Sequence, residues 1–133
     1  MSAFGDQVTV HLPGSLTGGK YMMASIVTAP GGGPPPHWHT QEDEWFLVQS
    51  GRVEFLMAGE WKEVPVGTVV YTPRNTVHSF RNPGTEPLHM LLHAAPAGFE
   101  TFFARCAEAF NQPEGPDMAR ILEISAEHGI YYV

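Results

Sequence analysis

The sequence predicts a mainly β domain, a sandwich or barrel of short strands, followed by two helices. Two observations support this. Runs rich in β-branched and aromatic residues recur at even spacing over the first part of the chain, and glycine or proline separates them. Beyond residue 95 the apolar residues recur at helical spacing instead. The 133 residues suffice for one domain with a core, so we expect a single domain over 1–133, with the barrel over about 1–95 and the helices over about 97–129.

The predicted strands are short and end at turn residues. Ser50-Gly51 closes one run so that the next can pair back as a hairpin, and Ala58-Gly59 provides another tight turn. The Gly/Pro-rich stretch 30–36 is short, which favours a structured loop over a linker between domains. The strands are expected at 20–28, 44–49, 52–57, 61–64, 68–72, 76–81 and 87–93.

An aromatic stripe predicts the first helix. Its members recur at helical spacing and are Phe99, Phe102, Phe103, Cys106 and Phe110. We expect this stripe to pack on the outside of the sheet rather than to bind a cofactor. Cys106 is then an inert buried thiol, and as the single cysteine it cannot form an intrachain disulfide.

A second helix is expected after the Pro/Gly-rich segment 113–116. Asp117 can cap its first turn, and Gly129 is a normal stop signal. The side chains expected on its inner face are Met118, Ile121, Leu122 and Ser125.

Charge and hydropathy exclude several classes of partner. The net charge is −7, and the seven Lys and Arg residues are scattered, whereas nucleic-acid binding requires clustered cations. No apolar run approaches ~18 residues, so no membrane-spanning helix is predicted. The first residues lack the basic and apolar regions of a secretory signal, and we expect a cytoplasmic protein.

Three histidines and one glutamate form a candidate metal site. His37 and His39 are two apart, which places both imidazoles on one face of a strand. Glu44 shares that face only if a turn or bulge intervenes, and several hairpin reversals could bring His78 opposite the pair. Such a donor set suits one divalent transition metal ion, namely Fe, Mn, Co, Ni, Cu or Zn.

The spacing around these residues resembles the two sequence motifs of the cupin superfamily. The first motif is carried by Gly31, His37, Trp38, His39, Glu44 and Gly51, and the second by Gly67, Pro73, Arg74, Asn75, His78 and Asn82. Position 75 departs from the pattern, which has glycine there for a turn of positive φ. Asparagine is the next most tolerant residue for that conformation, so we expect the turn to survive.

The segment from Leu88 to Phe110 looks like the small single-domain cupins that resemble quercetin 2,3-dioxygenase. The resemblance implies an antiparallel double-stranded β-helix, the jelly-roll barrel, with the C-terminal helices packed outside it. It also implies that the metal lies inside the barrel near one mouth, with His37, His39, Glu44 and His78 as ligands.

Strand parity suggests an apolar pocket above the metal. Phe46 and Val48 share the inward face with Glu44, and Phe80 shares it with His78, while Phe55 and Met57 occupy the face away from charged neighbours. These residues could line a substrate pocket, which would suit a flat or hydrophobic substrate, or they could simply be barrel core.

Other residues are given weaker roles. Trp45 and Leu47 point outward and are too apolar for simple exposure, so they are expected under the C-terminal helices or in a homodimer interface. His89 and His93 are either groups that orient a ligand or, as we favour, ordinary strand residues. Strand parity does not determine whether Tyr71 faces the cavity. Neither His11 nor His128 is a site candidate.

Three functions are compatible with this pattern. The favoured one is a metal-dependent, quercetinase-like dioxygenase, in which Glu44 accepts the proton of a flavonol-like or enediol substrate. The alternatives are a metal-dependent isomerase, lyase or decarboxylase, which needs a further acid or base in the cavity, and a non-catalytic module that binds a small ligand. All three imply a small-molecule partner.

Overall fold

Two antiparallel sheets and two helices form the structure. The computed structural model describes residues 1–133. The strands are β1 Ser2–Ala3, β2 Asp6–Leu12, β3 Met22–Thr28, β4 His37–His39, β5 Asp43–Ser50, β6 Val53–Met57, β7 Glu60–Val64, β8 Val69–Thr72, β9 His78–Arg81, β10 Leu88–Ala95 and β11 Ile130–Tyr132, and the helices are α1 Phe99–Phe110 and α2 Met118–Glu127.

The strand order is that of a rolled sandwich. A six-stranded sheet runs β1-β2-β3-β10-β5-β8, and a five-stranded sheet runs β11-β4-β9-β6-β7. Consecutive strands of the chain repeatedly cross from one sheet to the other, as in a jelly roll. This confirms the predicted fold class, mainly β with antiparallel pairing and two C-terminal helices.

Alternating burial along the strands builds the core between the sheets. In β5 the buried residues alternate with half-exposed ones, beginning with Glu44, and in β10 they begin with Leu88. Because successive side chains of a strand point to opposite faces, this alternation gives each sheet one apolar inner face. The parity predicted for Glu44, Phe46 and Val48 is therefore confirmed.

Two of the predicted turns depend on residues that tolerate positive φ. Gly51 has φ of 90°, and a Cβ there would lie 2.7 Å from the carbonyl oxygen of Pro87. Asn75 has φ of 66°, so the turn survives without glycine, as expected for asparagine.

The sequence prediction missed strands at both ends of the chain. In β2 the residues Val8, Val10 and Leu12 alternate with polar ones, a period-two signal that was available. Strand β11 has only three residues and follows a helix, and it pairs with β4 at Ile130↔His39 and Tyr132↔His37. The barrel therefore includes residues from beyond the helices, and the strands do not end near residue 95.

The second helix begins as predicted but buries a different face. The side chain of Asp117 accepts a hydrogen bond from the backbone N–H of Arg120 at 3.1 Å, which caps the first turn. Ile121, Ile124 and Ser125 are buried. Met118 and Leu122 are about half exposed, so their predicted place on the inner face was wrong.

The aromatic stripe of α1 does not pack on the outside of a sheet. Phe99, Phe102 and Phe103 instead line a cavity that opens between the two sheets, and α1 packs against β1 and α2. The expectation that the stripe packs on the outside of the sheet is therefore corrected for these three residues, while the helix itself lies outside the barrel as expected. Cys106 in the same helix is buried, and burial raises the pKa of its thiol to about 11, which keeps it unreactive.

One outward residue of β5 packs against side chains of its own sheet. Trp45 stacks on His93 at 5.4 Å between ring centroids and lies near Tyr21. The helices contact β1 and β11 instead, so they do not cover Trp45 and Leu47. No helix in the structure is long and apolar enough to cross a membrane.

Candidate metal centre

Three histidines converge inside the barrel. His37 and His39 project inward from β4, and His78 lies beside them because β4 pairs with β9 at His37↔His78. One nitrogen from each ring falls within 4.8 Å of the others. Strand alternation explains the geometry, since Trp38 between the two histidines points outward and stacks on Tyr131.

Glu44 reaches the histidines from the opposite sheet. Residues 40–42 carry the chain from β4 to β5, which restores the parity that strict alternation would have broken. Its Oε1 lies 3.4 Å from Nε2 of His39, and its Oε2 lies 3.5 Å from Nε2 of His78. The structure thus brings together all four residues that the sequence selected.

Each histidine is oriented by a hydrogen bond at Nδ1. The acceptors are the carbonyl of Pro35 for His37, at 2.8 Å, and the carbonyl of Thr76 for His78, at 2.9 Å. A carbonyl oxygen only accepts, so Nδ1 carries the hydrogen in both rings. Nε2 is then the nitrogen with a free lone pair, and it faces the cluster.

Glu42 orients the third histidine and was missed by the sequence analysis. Its Oε1 lies 2.5 Å from Nδ1 of His39, and its side chain is buried. A carboxylate behind a metal-ligating imidazole fixes its tautomer and raises its basicity. The acidic residues from 42 to 44 were visible in the sequence. Their spacing alone did not show that Glu42 and Glu44 face different nitrogens of the His39 ring.

Burial and the neighbouring charges shift the pKa values of the cluster in different directions. Burial lowers the pKa of His37 to about 3, assisted by the neighbouring imidazoles, so this ring is neutral. Burial raises the pKa of Glu44, but the charge of His39 and the nearby His78 outweigh it and pull the pKa to about 2. Burial likewise lowers the pKa of His39, but Glu44 and Glu42 outweigh it, and the net shift is upward.

The donor atoms fit a transition metal ion. Nε2 of His39, Nε2 of His78 and Oε1 of Glu44 are buried, and none of them has a hydrogen-bond partner. Orphaned buried polar atoms are costly, and a cation would satisfy all three at once. Three imidazoles and one carboxylate suit Fe, Mn, Co, Ni, Cu or Zn, and the geometry does not select among them.

The cluster opens into a largely apolar cavity. The cavity has an empty volume of about 560 Å³ out to its mouth, but it is narrow, since the centres of water molecules can occupy only about 50 Å³ of it. Its wall includes Phe46 and Phe80 from the barrel and Phe99, Phe102 and Phe103 from α1. The contribution of α1 was missed, because helical spacing does not reveal what the stripe covers.

Three of the predicted pocket residues lie elsewhere. Val48 and Phe55 are buried in the core, and Met57 packs against it half-buried. None of the three borders the cavity, so their predicted place in the substrate pocket is corrected. Phe46 and Phe80 do border it.

The remaining candidates lie away from the cavity. His89 and Tyr71 are exposed on the outer face of the six-stranded sheet. His93, on the same face, is hydrogen-bonded to the hydroxyl of Tyr21. His11 contacts Ser25 at the surface, and His128 contacts Arg105 beside α2.

Comparison with known proteins places the fold in a family. The sequence model of the cupin domain matches residues 25–93, which include all four residues of the cluster. The chain belongs to the cupin family. This cupin is 28% identical over 92 residues to the polyketide synthase CurC of Streptomyces cyaneus, a match that covers 69% of the chain and 60% of CurC. The matched region spans 37% to 60% of the curated relatives.

Solved structures share the same fold. A predicted oxalate decarboxylase from Thermotoga maritima superposes with a TM-score of 0.65 at 23% identity, over 68% of this cupin and 80% of that chain. The polyketide cyclase RemF from Streptomyces resistomycificus superposes with a TM-score of 0.61 at 22% identity, over 68% of this cupin and 65% of that chain. At these identities the likeness concerns the fold alone.

Proposed function

We propose that this cupin is a metal-dependent dioxygenase that acts on a flat, hydroxylated small molecule of the flavonol or enediol type. The observation that supports it best is a cluster of three imidazoles and one carboxylate on the wall of an apolar, aromatic cavity. Three of its buried atoms, on His39, His78 and Glu44, have no hydrogen-bond partner. Both atoms of dioxygen would enter the substrate, so no external reductant is required.

The residues of the chain have separate roles in this proposal. A metal held by His37, His39, Glu44 and His78 would supply Lewis-acid activation of a substrate hydroxyl and a route for electrons to dioxygen. Glu44 is ionised and buried, and its carboxylate accepts the proton that the substrate hydroxyl loses. The Nδ1 hydrogen bonds hold the imidazoles still during this transfer.

The cavity wall excludes water and orients the substrate. Phe46 and Phe80 meet edge to face at 5.6 Å between centroids, and such rings favour a flat apolar partner. The interior of the cavity is narrow. Phe99, Phe102 and Phe103 of α1 complete the wall against which a ring system would pack.

Oxygen uptake tests the proposal. The metal-free protein is loaded separately with Fe, Mn, Co or Ni, a panel of flavonols is added, and uptake is followed. We expect uptake with at least one metal and its loss in His78→Ala, together with loss of metal content. The control is His89→Ala, which removes an exposed histidine of the outer face and should change neither.

Two results would contradict the proposal. Stoichiometric metal binding without uptake for any metal would favour a module that binds a small ligand without turnover. Unchanged metal content and activity in His78→Ala would refute the site itself.

A non-oxidative reaction at the same metal is the second candidate. The similarity to the polyketide synthase CurC over 69% of the chain favours it. In this case the protein would rearrange or close a ring in an aromatic or polyketide-like substrate. A product that forms under anaerobic conditions, and whose mass shows no added oxygen atoms, would distinguish this reaction from dioxygenation.

A further inference from the structure

Asp6 is a second polar group on the wall of the metal cavity. It begins β2 with its side chain turned inward, and only 6% of the residue is exposed. It borders the same cavity as the histidine cluster. The hydroxyl of Thr28 donates to its Oδ1 at 2.6 Å, which leaves Oδ2 available to a group outside the chain.

Asp6 lies at the far end of the cavity from the metal ligands. Asn82 follows His78 by four residues along extended chain, which corresponds to roughly 13 Å at ~3.3 Å per residue. The side-chain amide of Asn82 donates to the carbonyl of Thr28 at 3.0 Å. The hydroxyl of Thr28 in turn donates to the carboxyl group of Asp6. The cavity therefore runs from a metal site at one end to a carboxyl group at the other, with aromatic rings between.

The surroundings of Asp6 are otherwise uncharged. Burial raises its pKa to about 7, the Thr28 hydrogen bond opposes this, and no charged side chain contributes. The other inward residues of β3 are Met22, Ala24 and Ile26. The other titratable groups on the cavity wall are His37, His39, Glu44, His78 and Tyr132. A carboxyl that is largely removed from water and has no ionic partner is costly, and a hydroxyl of a ligand in the cavity would offset that cost.

We propose that Asp6 is a recognition group for an elongated ligand, whose one end binds the metal and whose other end presents a hydroxyl group to Oδ2. The ligand class is a flat apolar molecule two or three rings long with an oxygen function at each end. This role of Asp6 rests on the proposed function, because the ligand must bind the metal with one end before its other end can reach Oδ2. Asp6 is too distant to act at the metal-bound atoms, so it determines specificity rather than the chemical step.

A comparison of matched flavonols tests the inference. The protein is loaded with one equivalent of Co²⁺ and titrated anaerobically at pH 8 with 3-hydroxyflavone, 3,4′-dihydroxyflavone and 3,7-dihydroxyflavone, which differ only in a hydroxyl remote from the metal-binding oxygens. We expect one dihydroxy compound to bind about tenfold tighter than 3-hydroxyflavone, because a hydrogen bond to a buried carboxylate is strong. In Asp6→Asn the ratio of the two affinities, for the dihydroxy compound over 3-hydroxyflavone, should fall close to one.

The controls separate recognition from folding. Gln7→Ala alters an exposed residue beside Asp6 and should keep the ratio, and cobalt content and thermal midpoint are measured for each variant. If Asp6→Asn does not fold, infrared difference spectra of the wild type replace it. The dihydroxy compound should then perturb a carboxyl band that 3-hydroxyflavone leaves unchanged.

Each contrary result has a distinct meaning. Equal binding of all three compounds by the wild type, a ratio retained in Asp6→Asn, or identical infrared spectra would overturn the role of Asp6 and leave the proposed function intact. No binding of 3-hydroxyflavone to the cobalt-loaded protein would overturn the proposed substrate class and the inference with it.

Discussion

The three histidines of the candidate metal site are held by three different hydrogen-bond acceptors. Two histidines use backbone carbonyls that the local loop supplies, whereas His39 depends on the side chain of Glu42. A carbonyl partner is fixed by the chain path and survives most substitutions. A carboxylate partner can be removed, so His39 is the ligand whose orientation can be tested by mutation.

Glu42→Ala should weaken metal binding by about 10- to 100-fold, because His39 loses the acceptor that fixes its tautomer. Competition with a chromophoric chelator measures the affinity. Glu60→Ala, which changes an exposed glutamate on β7, is the matched control and should have no effect. Equal affinities for wild type and Glu42→Ala would show that the hydrogen bond does not position the ligand.

Asp6 should make stability depend on pH. Its folded pKa of about 7 lies above its ordinary value of 3.8, so its contribution to stability is fully present below about pH 4 and is lost as pH rises through 7. The variant Asp6→Asn has no ionisable group at this position, so it does not lose stability in this way as the pH rises. The free energy of unfolding of the variant, relative to wild type, should therefore increase by about 2 kcal/mol between pH 5 and pH 8.

Urea unfolding at both pH values measures the difference. Asp43→Asn is the control, because hydrogen bonding to Arg74 lowers the pKa of Asp43 and leaves it ionised across this range. Its difference from wild type should not change with pH. A flat difference for Asp6→Asn as well would mean that the carboxyl is solvated in solution.

At the scale of secondary-structure elements, the loop before β4 sets the distance between that part of the chain and strand β9. Gly33 precedes β4, has φ of 134°, and has no room for a side chain, because a Cβ would overlap the carbonyl oxygen of Phe80 on β9. Its backbone N–H donates to the carbonyl of Phe4 at 3.1 Å. The approach of the loop to β9 thus requires glycine.

Gly33→Ala should destabilise the fold by several kcal/mol more than Gly31→Ala. Both positions have positive φ, so both substitutions carry the same kind of backbone strain, about 1–2 kcal/mol. Only Gly33 adds a clash with backbone, since Gly31 has open space around it. Chemical denaturation measures the two changes, and similar values would mean that the loop relaxes away from Phe80.

The elements differ in how far the sequence predicts them. The strands from β5 to β9 are set by turn residues and by alternation, and their positions were predicted to within two residues, whereas β4 was not among the predicted strands. The first helix was predicted, but its aromatic stripe was assigned to the wrong surface. Periodicity shows which side chains share a face, whereas the surface that covers them depends on contacts between distant parts of the chain.

The site shows the same division. His37, His39, Glu44 and His78 could be selected because motif spacing constrains them. Glu42 and Asp6 could not, because their roles depend on which atom each carboxylate faces in three dimensions. Val48, Phe55 and Met57 were misplaced because an inward side chain in a barrel belongs to the core wherever the two sheets meet without a gap.

At the scale of the whole molecule, the outer face of the six-stranded sheet exposes apolar side chains at β8, next to β5. Val69 and Tyr71 on β8 are 58% and 55% exposed, beside the half-buried Trp45 and Leu47. We propose that two copies of the chain associate through this face. Burial of such a patch is favourable and reduces aggregation through the edge strand.

Light scattering at micromolar concentration should give twice the chain mass of 14.6 kDa. Tyr71→Glu should shift the mass toward the monomer, because it places a charge in an apolar contact. Leu122→Glu alters an equally exposed apolar residue on α2 and should leave the dimer intact. A monomeric wild type would reject the proposal.

The pairing of β11 with β4 has a consequence for how the site forms during synthesis. Strand β4 carries two of the candidate metal ligands, yet one of its edges is completed only by residues 130–132. A nascent chain that has already released both motifs from the ribosome still presents His37 and His39 on an open strand edge. The candidate metal site is thus complete only when the helices have emerged and residues 130–132 have paired with β4.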